Sequence, residues 1–392
     1  MKGRVLVAAM AAGQVGGLLP HVAVPAVMPT ALIPAWDLSY AEAGLMASAY
    51  AVGYMLAVPV LTTLTDRIDA RRILIAGSLV NALGTVAFGL LADGMISAML
   101  LWGLTGVGFA GAYMPGLKAL TDRLDPGESS RSVTFYTSSF SFGVGLSFLL
   151  CQLLADGLGW RWAFIVTGLA PLVMTAVAFS LKPVPPPPRD GPLLEFAPAL
   201  RNRTALGYSL AYGWHCFELY GLRTWLVAFW GFVAARDGAP LGVVAVSAVV
   251  TLLAMPASIL GNELALKLGR HRAVTIVMFA SAAVALAIGF TAGLSPWLTL
   301  ALMLVYSFTV PGDSGALTSG MTASADPRYR GASMAVHSTL GFAFTAAGGW
   351  VVGVALDSAG GSGAAGAWTL AYAVMAAGAA MGPVCLWWAR RT

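Results

Sequence analysis

One segment gathers side chains that could do chemistry: Trp214-His215-Cys216-Phe217-Glu218-Leu219-Tyr220-Gly221-Leu222-Arg223-Thr224-Trp225. On a helix advancing about 100° per residue, Glu218 lies roughly 60° to one side of His215 and Arg223 roughly 80° to the other. All three can share one broad face. A guanidinium such as Arg223 could hold an anion, while Glu218 or His215 could exchange protons. Tyr220 and Trp225 could contact a solute from the same helix. The competing reading is an internal Glu218–Arg223 pair, or Arg223 reaching outward to the membrane surface.

A second deep carboxyl, Asp313, stands in Val310-Pro311-Gly312-Asp313-Ser314-Gly315. Proline and glycine can open a helix there and free backbone groups to line a cavity. Proton carrier, solute contact and partner for Arg223 are all open for it. His337 lies nearer a helix end. Gln14 and His21 are polar groups in the first apolar run, and Gln14 precedes His215 by 201 residues. Tyr50 and Tyr136 are further candidate solute contacts. Lys118 either reaches a cavity or meets lipid headgroups.

These groups must be held by apolar helices. The chain is 58% hydrophobic and 10% charged, whereas a soluble domain is about 25% charged. About twenty apolar residues at 1.5 Å each match the ~30 Å hydrocarbon core of a bilayer. Twelve such spans are predicted, at 5–31, 42–64, 73–92, 95–119, 131–155, 162–181, 204–234, 240–264, 273–293, 296–322, 331–356 and 366–389. They are too long and too uniformly apolar for the alternating strands of a membrane barrel. The first run has no small-residue cleavage site, so it reads as a retained helix.

Other function classes lack their signatures. The net charge of +5 sits in short turns rather than on an exposed basic face, which argues against nucleic acid. Cys151, Cys216 and Cys385 are isolated, without metal-ligand spacing. There is no glycine-lysine pair for a P-loop, and no HExxH or GxSxG motif. The chain is not expected to be an enzyme or to carry a cofactor or metal.

Lys and Arg set the orientation. With both termini in the cytoplasm, 18 of the 22 fall in cytoplasmic turns or termini, Lys118 and Arg223 lie within helices, and only Arg161 and Arg236 fall on the opposite side. Residues 182–203 hold seven of the 21 prolines. The run Pro185 to Pro188 cannot continue a helix and reads as a semi-rigid cytoplasmic linker. It separates an N-terminal bundle, 1–181, from a C-terminal bundle, 204–392. The halves echo one another at an offset of 201: Asp125-Pro126 with Asp326-Pro327, Ser132 with Ser333, Asp156 with Asp357, and Arg71 with Arg272. Duplicated halves are frequent among secondary transporters.

Thr62-Thr-Leu-Thr-Asp-Arg-Ile-Asp-Ala-Arg-Arg72 resembles the G-x-x-x-D-R-x-G-R-R signature of the major facilitator superfamily. Asp66, Arg67, Arg71 and Arg72 fit it, while Thr62 and Asp69 replace its glycines. Gly269-Arg270 and Arg272 fit the end of the same signature in the second half. The resemblance implies an all-α integral membrane fold of twelve helices in two pseudo-symmetric six-helix bundles. It also implies alternating access around a site formed by helices one, four, seven and ten. Within the signature, Asp66 can pair with Arg67 or Arg71 and latch neighbouring helix ends. Asp122 and Arg123 are its candidate partners, with Arg270 and Arg272 in the corresponding turn. Drug/proton antiporters of this family show a glycine-proline pair in helix five. Here that helix reads Ser141-Phe142-Gly143-Val144-Gly145.

The expected function is therefore proton-coupled symport of a small organic, possibly anionic, molecule. The alternative is proton-driven export of drugs or amphipathic metabolites. A monomer in a bacterial inner membrane, with a lipid bilayer, a small solute and a proton as its partners, completes the expectation.

Overall fold

The computed structural model describes residues 3–124, 129–186, 195–235 and 238–390. Asp125, Pro126, Pro187, Pro188 and Arg236 lie outside them, as do Lys2, Arg189 and Arg391 of the 18 basic residues assigned to the cytoplasmic side. Among the described residues every regular element is a helix. We number them α1 (Gly3–Leu18), α2 (Ala23–Trp36), α3 (Tyr40–Leu64), α4 (Ala70–Leu91), α5 (Met95–Thr121), α6 (Ser129–Leu158) and α7 (Trp160–Ser180). The remainder are α8 (Ala197–Arg201), α9 (Arg203–Ala234), α10 (Val243–Leu268), α11 (Arg270–Thr291), α12 (Pro296–Ser324), α13 (Arg330–Ser358) and α14 (Ala365–Arg390).

Ten of these are long and apolar enough to cross a bilayer, or eleven if α1 and α2 form one bent span. The 32-residue α9 is not among the ten. Its histidine, carboxyl, guanidinium and tyrosines dilute the apolar content that marks the others.

Breaks follow prolines. The first span, expected to run unbroken over 5–31, bends by 47° between α1 and α2. Pro20 stands in the break; its ring removes an N–H and crowds the preceding turn. α7 is interrupted at Ala170, before Pro171. α12 tightens into a 3₁₀ turn at Val310–Asp313, where Pro311 and Gly312 stand, and then resumes. The stretch 182–203, expected to be extended, contains the short helix α8.

The chain forms two compact units, Met1–Ala23 with Ala49–Glu195, and Val24–Ser48 with Phe196–Thr392. The second therefore includes α2 and the first turns of α3. Leu6, Met10, Leu74, Leu120, Tyr136 and Met174 pack one core of the first unit. Tyr208, Met278, Leu317, Met321 and Leu386 pack one of the second. Close backbone contact tightens the second unit. A Cβ at Gly348 of α13 would collide with the Phe217 carbonyl of α9, so only glycine lets these helices approach so nearly.

The outer faces are apolar. Leu83, Leu100, Phe179 and Phe290 are each 65–70% exposed. Apolar exposure repeated on helix after helix exceeds what a water-soluble monomer carries and matches a surface solvated by lipid.

Candidate functional site

The polar groups of the second unit line up along α9. The Asn202 side chain caps this helix by accepting from Ala205 N, so its first turn is anchored. His215 and Asp313 lie on α9 and at the 3₁₀ turn of α12. Their Nδ1 and Oδ1 atoms are 2.6 Å apart, with both side chains 2% exposed. Neither atom has an aligned hydrogen bond, so the contact is close but off-axis. One turn earlier, Tyr212 stacks on His337 at 4.1 Å between ring centroids and on His215 at 5.6 Å. His337 Nε2 lies 3.4 Å from Thr318 Oγ1 and its Nδ1 lies 3.3 Å from Ser209 Oγ.

Glu218 turns elsewhere. Its Oε1 accepts from Ser281 Oγ of α11 at 2.7 Å and from Tyr306 OH of α12 at 2.9 Å. Among the described residues no cation pairs with it. The internal Glu218–Arg223 pair is thus replaced by a hydroxyl cradle. Arg223 is 5% exposed, and its guanidinium carbon lies 5.3 Å from the Tyr220 ring centroid. Among the described residues no carboxylate pairs with Arg223. The one broad face expected for these three groups resolves into three directions. His215 meets α12, Glu218 meets α11 and α12, and Arg223 lies beside Tyr220. Trp225 donates its indole N–H to Gly349 O at 2.9 Å, which ties α9 to α13.

In the first unit His21 lies at the α1–α2 break, with Nδ1 3.0 Å from Tyr50 OH and its ring against Phe109 and Phe140. Gln14 donates from Nε2 to Tyr136 O at 3.1 Å. Its buried Oε1 has no partner among the described residues. Tyr136 OH donates weakly to Tyr113 O at 3.4 Å.

The turn between α3 and α4 is organised by Asp69. Its side chain accepts from Arg71 N and Val184 N at 2.9 Å each. Arg123 Nη2 reaches both of its oxygens, at 3.0 and 3.2 Å. Arg123 also donates to the Lys182 carbonyl, and Arg71 Nη1 donates to Leu181 O at 2.8 Å. The start of the linker is therefore pinned to this turn. Asp122, expected beside the signature, pairs instead with Lys118 one helical turn away at 3.0 Å. Asp66 and Arg67 occupy the turn that ends α3, and Arg72 is exposed in the first turn of α4. Arg270 and Arg272 open α11 behind Gly269, whose φ of +83° few other residues adopt.

The family model of the Major Facilitator Superfamily matches residues 6–349. The chain belongs to this superfamily. Its fold agrees. A bacterial homolog of the human lysosomal transporter Spinster, solved inward-facing and unoccupied, superposes with a TM-score of 0.73 at 19% identity, covering 98% of this chain and 95% of that one. The nucleoside transporter NupG, as a D323A mutant, gives 0.75 at 11% identity, covering 98% and 100%. A plant relative, Probable sphingolipid transporter spinster homolog 1 of Arabidopsis thaliana, is 24% identical over 148 residues. That match spans 38% of this chain and 30% of the relative's length. The family and its structural neighbours are transporters, and no catalytic activity is indicated.

Within this superfamily's signature the chain departs in an informative way. Asp69 stands where the signature has glycine, and its φ of −53° needs none. It supplies a helix cap and an ion-pair hub instead. Burial raises its carboxyl, but hydrogen bonds from Arg71 and Val184 and the bond and charge of Arg123 outweigh that and hold it below the ordinary value. Its contribution is thus complete above the unfolded value near 3.9 and fades as pH falls through the lower folded one. A spin label on a cysteine at Pro185 is expected to stay immobile from pH 7 down to about 4 and become mobile below that. In Asp69→Ala it should be mobile already at pH 7. Equal mobility in both proteins at pH 7 would show that Asp69 does not pin the linker.

The sequence pattern missed Tyr212, Ser281 and Tyr306. Tyr212 lies three residues before His215 and was within reach of helical spacing. Ser281 and Tyr306 carry no local signal, because only tertiary packing brings them to Glu218.

Proposed function

We propose that the chain is a secondary active transporter that moves a small organic anion by alternating access, coupled to protons. The observation that carries the reading is the Arg223 guanidinium. It is 5% exposed within a lipid-embedded unit, with no carboxylate partner among the described residues. A cation at that depth is costly and usually lines a solute path. A solute carboxylate or phosphate would supply the missing countercharge, with Tyr220 beside it. His215 with Asp313, and Glu218 in its hydroxyl cradle, are the proton-carrying groups. Gln14, His21, Tyr50, Tyr136 and Trp225 complete the solute-facing set. Asp66, Arg67, Arg71, Arg72, Asp122, Arg123, Arg270 and Arg272 form the gating set, in which Asp69 is an added member.

In this reading α9 is a full crossing. The chain spans a bacterial inner membrane twelve times as two six-helix halves, 1–181 and 204–392, joined by the linker 182–203. It acts as a monomer with both termini in the cytoplasm. A thermal-shift screen of purified protein tests solute choice, because a bound ligand raises the melting temperature by mass action. Small carboxylates and phosphates are expected to stabilise it, and neutral analogues are not. Stabilisation by cations alone would reject the anion.

The alternative is proton-driven export of drugs or amphipathic metabolites, and the partial likeness to a plant protein named a probable sphingolipid transporter favours an amphipathic solute. Sphingolipids belong in the screen for that reason.

A further inference from the structure

The first turns of α3 are fastened to the far end of α13, and a single carboxylate completes the fastening. Helix N-termini leave four amides without intrahelical partners. At α3 a local capping box supplies part of the need. Ser39 N and Ser39 Oγ donate to Glu42 Oε2 at 2.9 Å each, and Glu42 N donates to Ser39 Oγ at 3.2 Å. The next two amides turn to a residue more than three hundred positions away. Tyr40 N donates to Asp357 Oδ1 at 2.9 Å, and Ala41 N donates to Asp357 Oδ2 at 2.7 Å. Both oxygens of Asp357 are thus engaged at the positive end of a helix dipole.

The contact continues along both helices. Tyr40 OH lies 2.8 Å from Ser362 Oγ. Ser48 Oγ donates to Ala346 O at 2.7 Å. A Cβ at Gly44 would lie 2.5 Å from Gly349 O, and one at Gly353 would strike Tyr40 O. The same Gly349 carbonyl accepts the Trp225 indole N–H. Residues 24–48 accordingly belong with the second unit, while α3 from Ala49 onward belongs with the first. The amide caps and the glycine contact hold the first turns of α3 in the second unit, so loss of the caps is what would free them.

We propose that Tyr40–Ser48 is a releasable dock on α13 and that Asp357 is its clasp, setting the fraction of molecules in which the dock is shut. As a step in a transport cycle the clasp rests on the alternating-access reading. As a contact that opens and closes it stands alone.

The test uses the full chain in lipid nanodiscs with no solute. Ser48→Cys places a thiol at a position 5% exposed in the shut dock, and native Cys151, 0% exposed in the first unit, reports global unfolding. Both are read by maleimide labelling and mass spectrometry. Adding Asp357→Ala is expected to speed labelling at position 48 about fivefold, the factor a lost helix cap gives, and to leave Cys151 unchanged. Asp357→Asn, which keeps an acceptor and loses the charge, should fall between. Unchanged labelling at position 48, or equal acceleration at Cys151, would overturn the clasp.

A second variant guards the result. An added Cβ at position 349 would lie 3.0 Å from Ser48 Oγ, so Ser48→Cys with Gly349→Cys should cross-link under mild oxidation. Failure to cross-link would remove the dock itself. If the dock opens as expected while no solute is ever moved, the transport reading fails and the clasp survives.

Discussion

Arg223→Ala is expected to weaken binding of the transported anion by about 30-fold or more, and Arg223→Lys to keep part of it. The size follows from burial. Truncating one member of a buried hydrogen-bonded charge pair costs about 2–5 kcal/mol, and each 1.4 kcal/mol is tenfold in affinity. With solute bound, Arg223 at 5% exposure and a solute anion would form such a pair. Lysine restores the charge but not the planar fork of donors, hence the partial retention. Two readouts separate this from general damage. The melting temperature without ligand should change little or rise, because the variant removes an uncompensated buried cation. The ligand-induced shift should vanish. Unchanged affinity in Arg223→Ala would remove the anion from the proposal.

The second large effect is uncoupling. Glu218→Gln and Asp313→Asn are each expected to abolish accumulation driven by a pH gradient while leaving downhill exchange measurable. The two differ in their cost to the fold. A glutamine at 218 still offers an oxygen to Ser281 and Tyr306, so the cradle persists and only the titratable proton is lost. Asparagine at 313 leaves His215 beside a neutral group. The Asp313 carboxylate sits 2.6 Å from His215 with both side chains 2% exposed, and removing one partner of such a buried pair costs about 3–5 kcal/mol. Asp313→Asn should therefore melt earlier than wild type, and Glu218→Gln should melt close to it. Retained accumulation in both variants would show that the coupling proton sits elsewhere.

The helical architecture was legible because lipid imposes one rule on every span. Each needs about twenty apolar residues with all backbone groups satisfied within the helix, and the sequence repeats that pattern plainly. Breaks were partly legible: Pro311-Gly312 marked the opening of α12, whereas Pro20 was read through as continuous helix. The site was legible as a set of residues and not as a geometry. Spacing on α9 placed His215, Glu218 and Arg223 near one another, but a helix surface is curved and each met a different neighbour. Arg123 was expected to serve Asp66; it reaches Asp69, an acid that had looked like a mere departure from the signature. Asp357 stood out only as a repeat of Asp156. Its task depends on Tyr40 and Ala41, whose backbone amides leave no trace in a pattern of side chains.

Proteoliposome uptake of a solute found in the thermal-shift screen, with an imposed pH gradient, tests the central claim most directly. Internal solute rising above the external concentration when the proton gradient points inward, and losing that excess when the gradient is collapsed, is the expected result. Equal concentrations on both sides at every gradient would contradict proton-coupled transport.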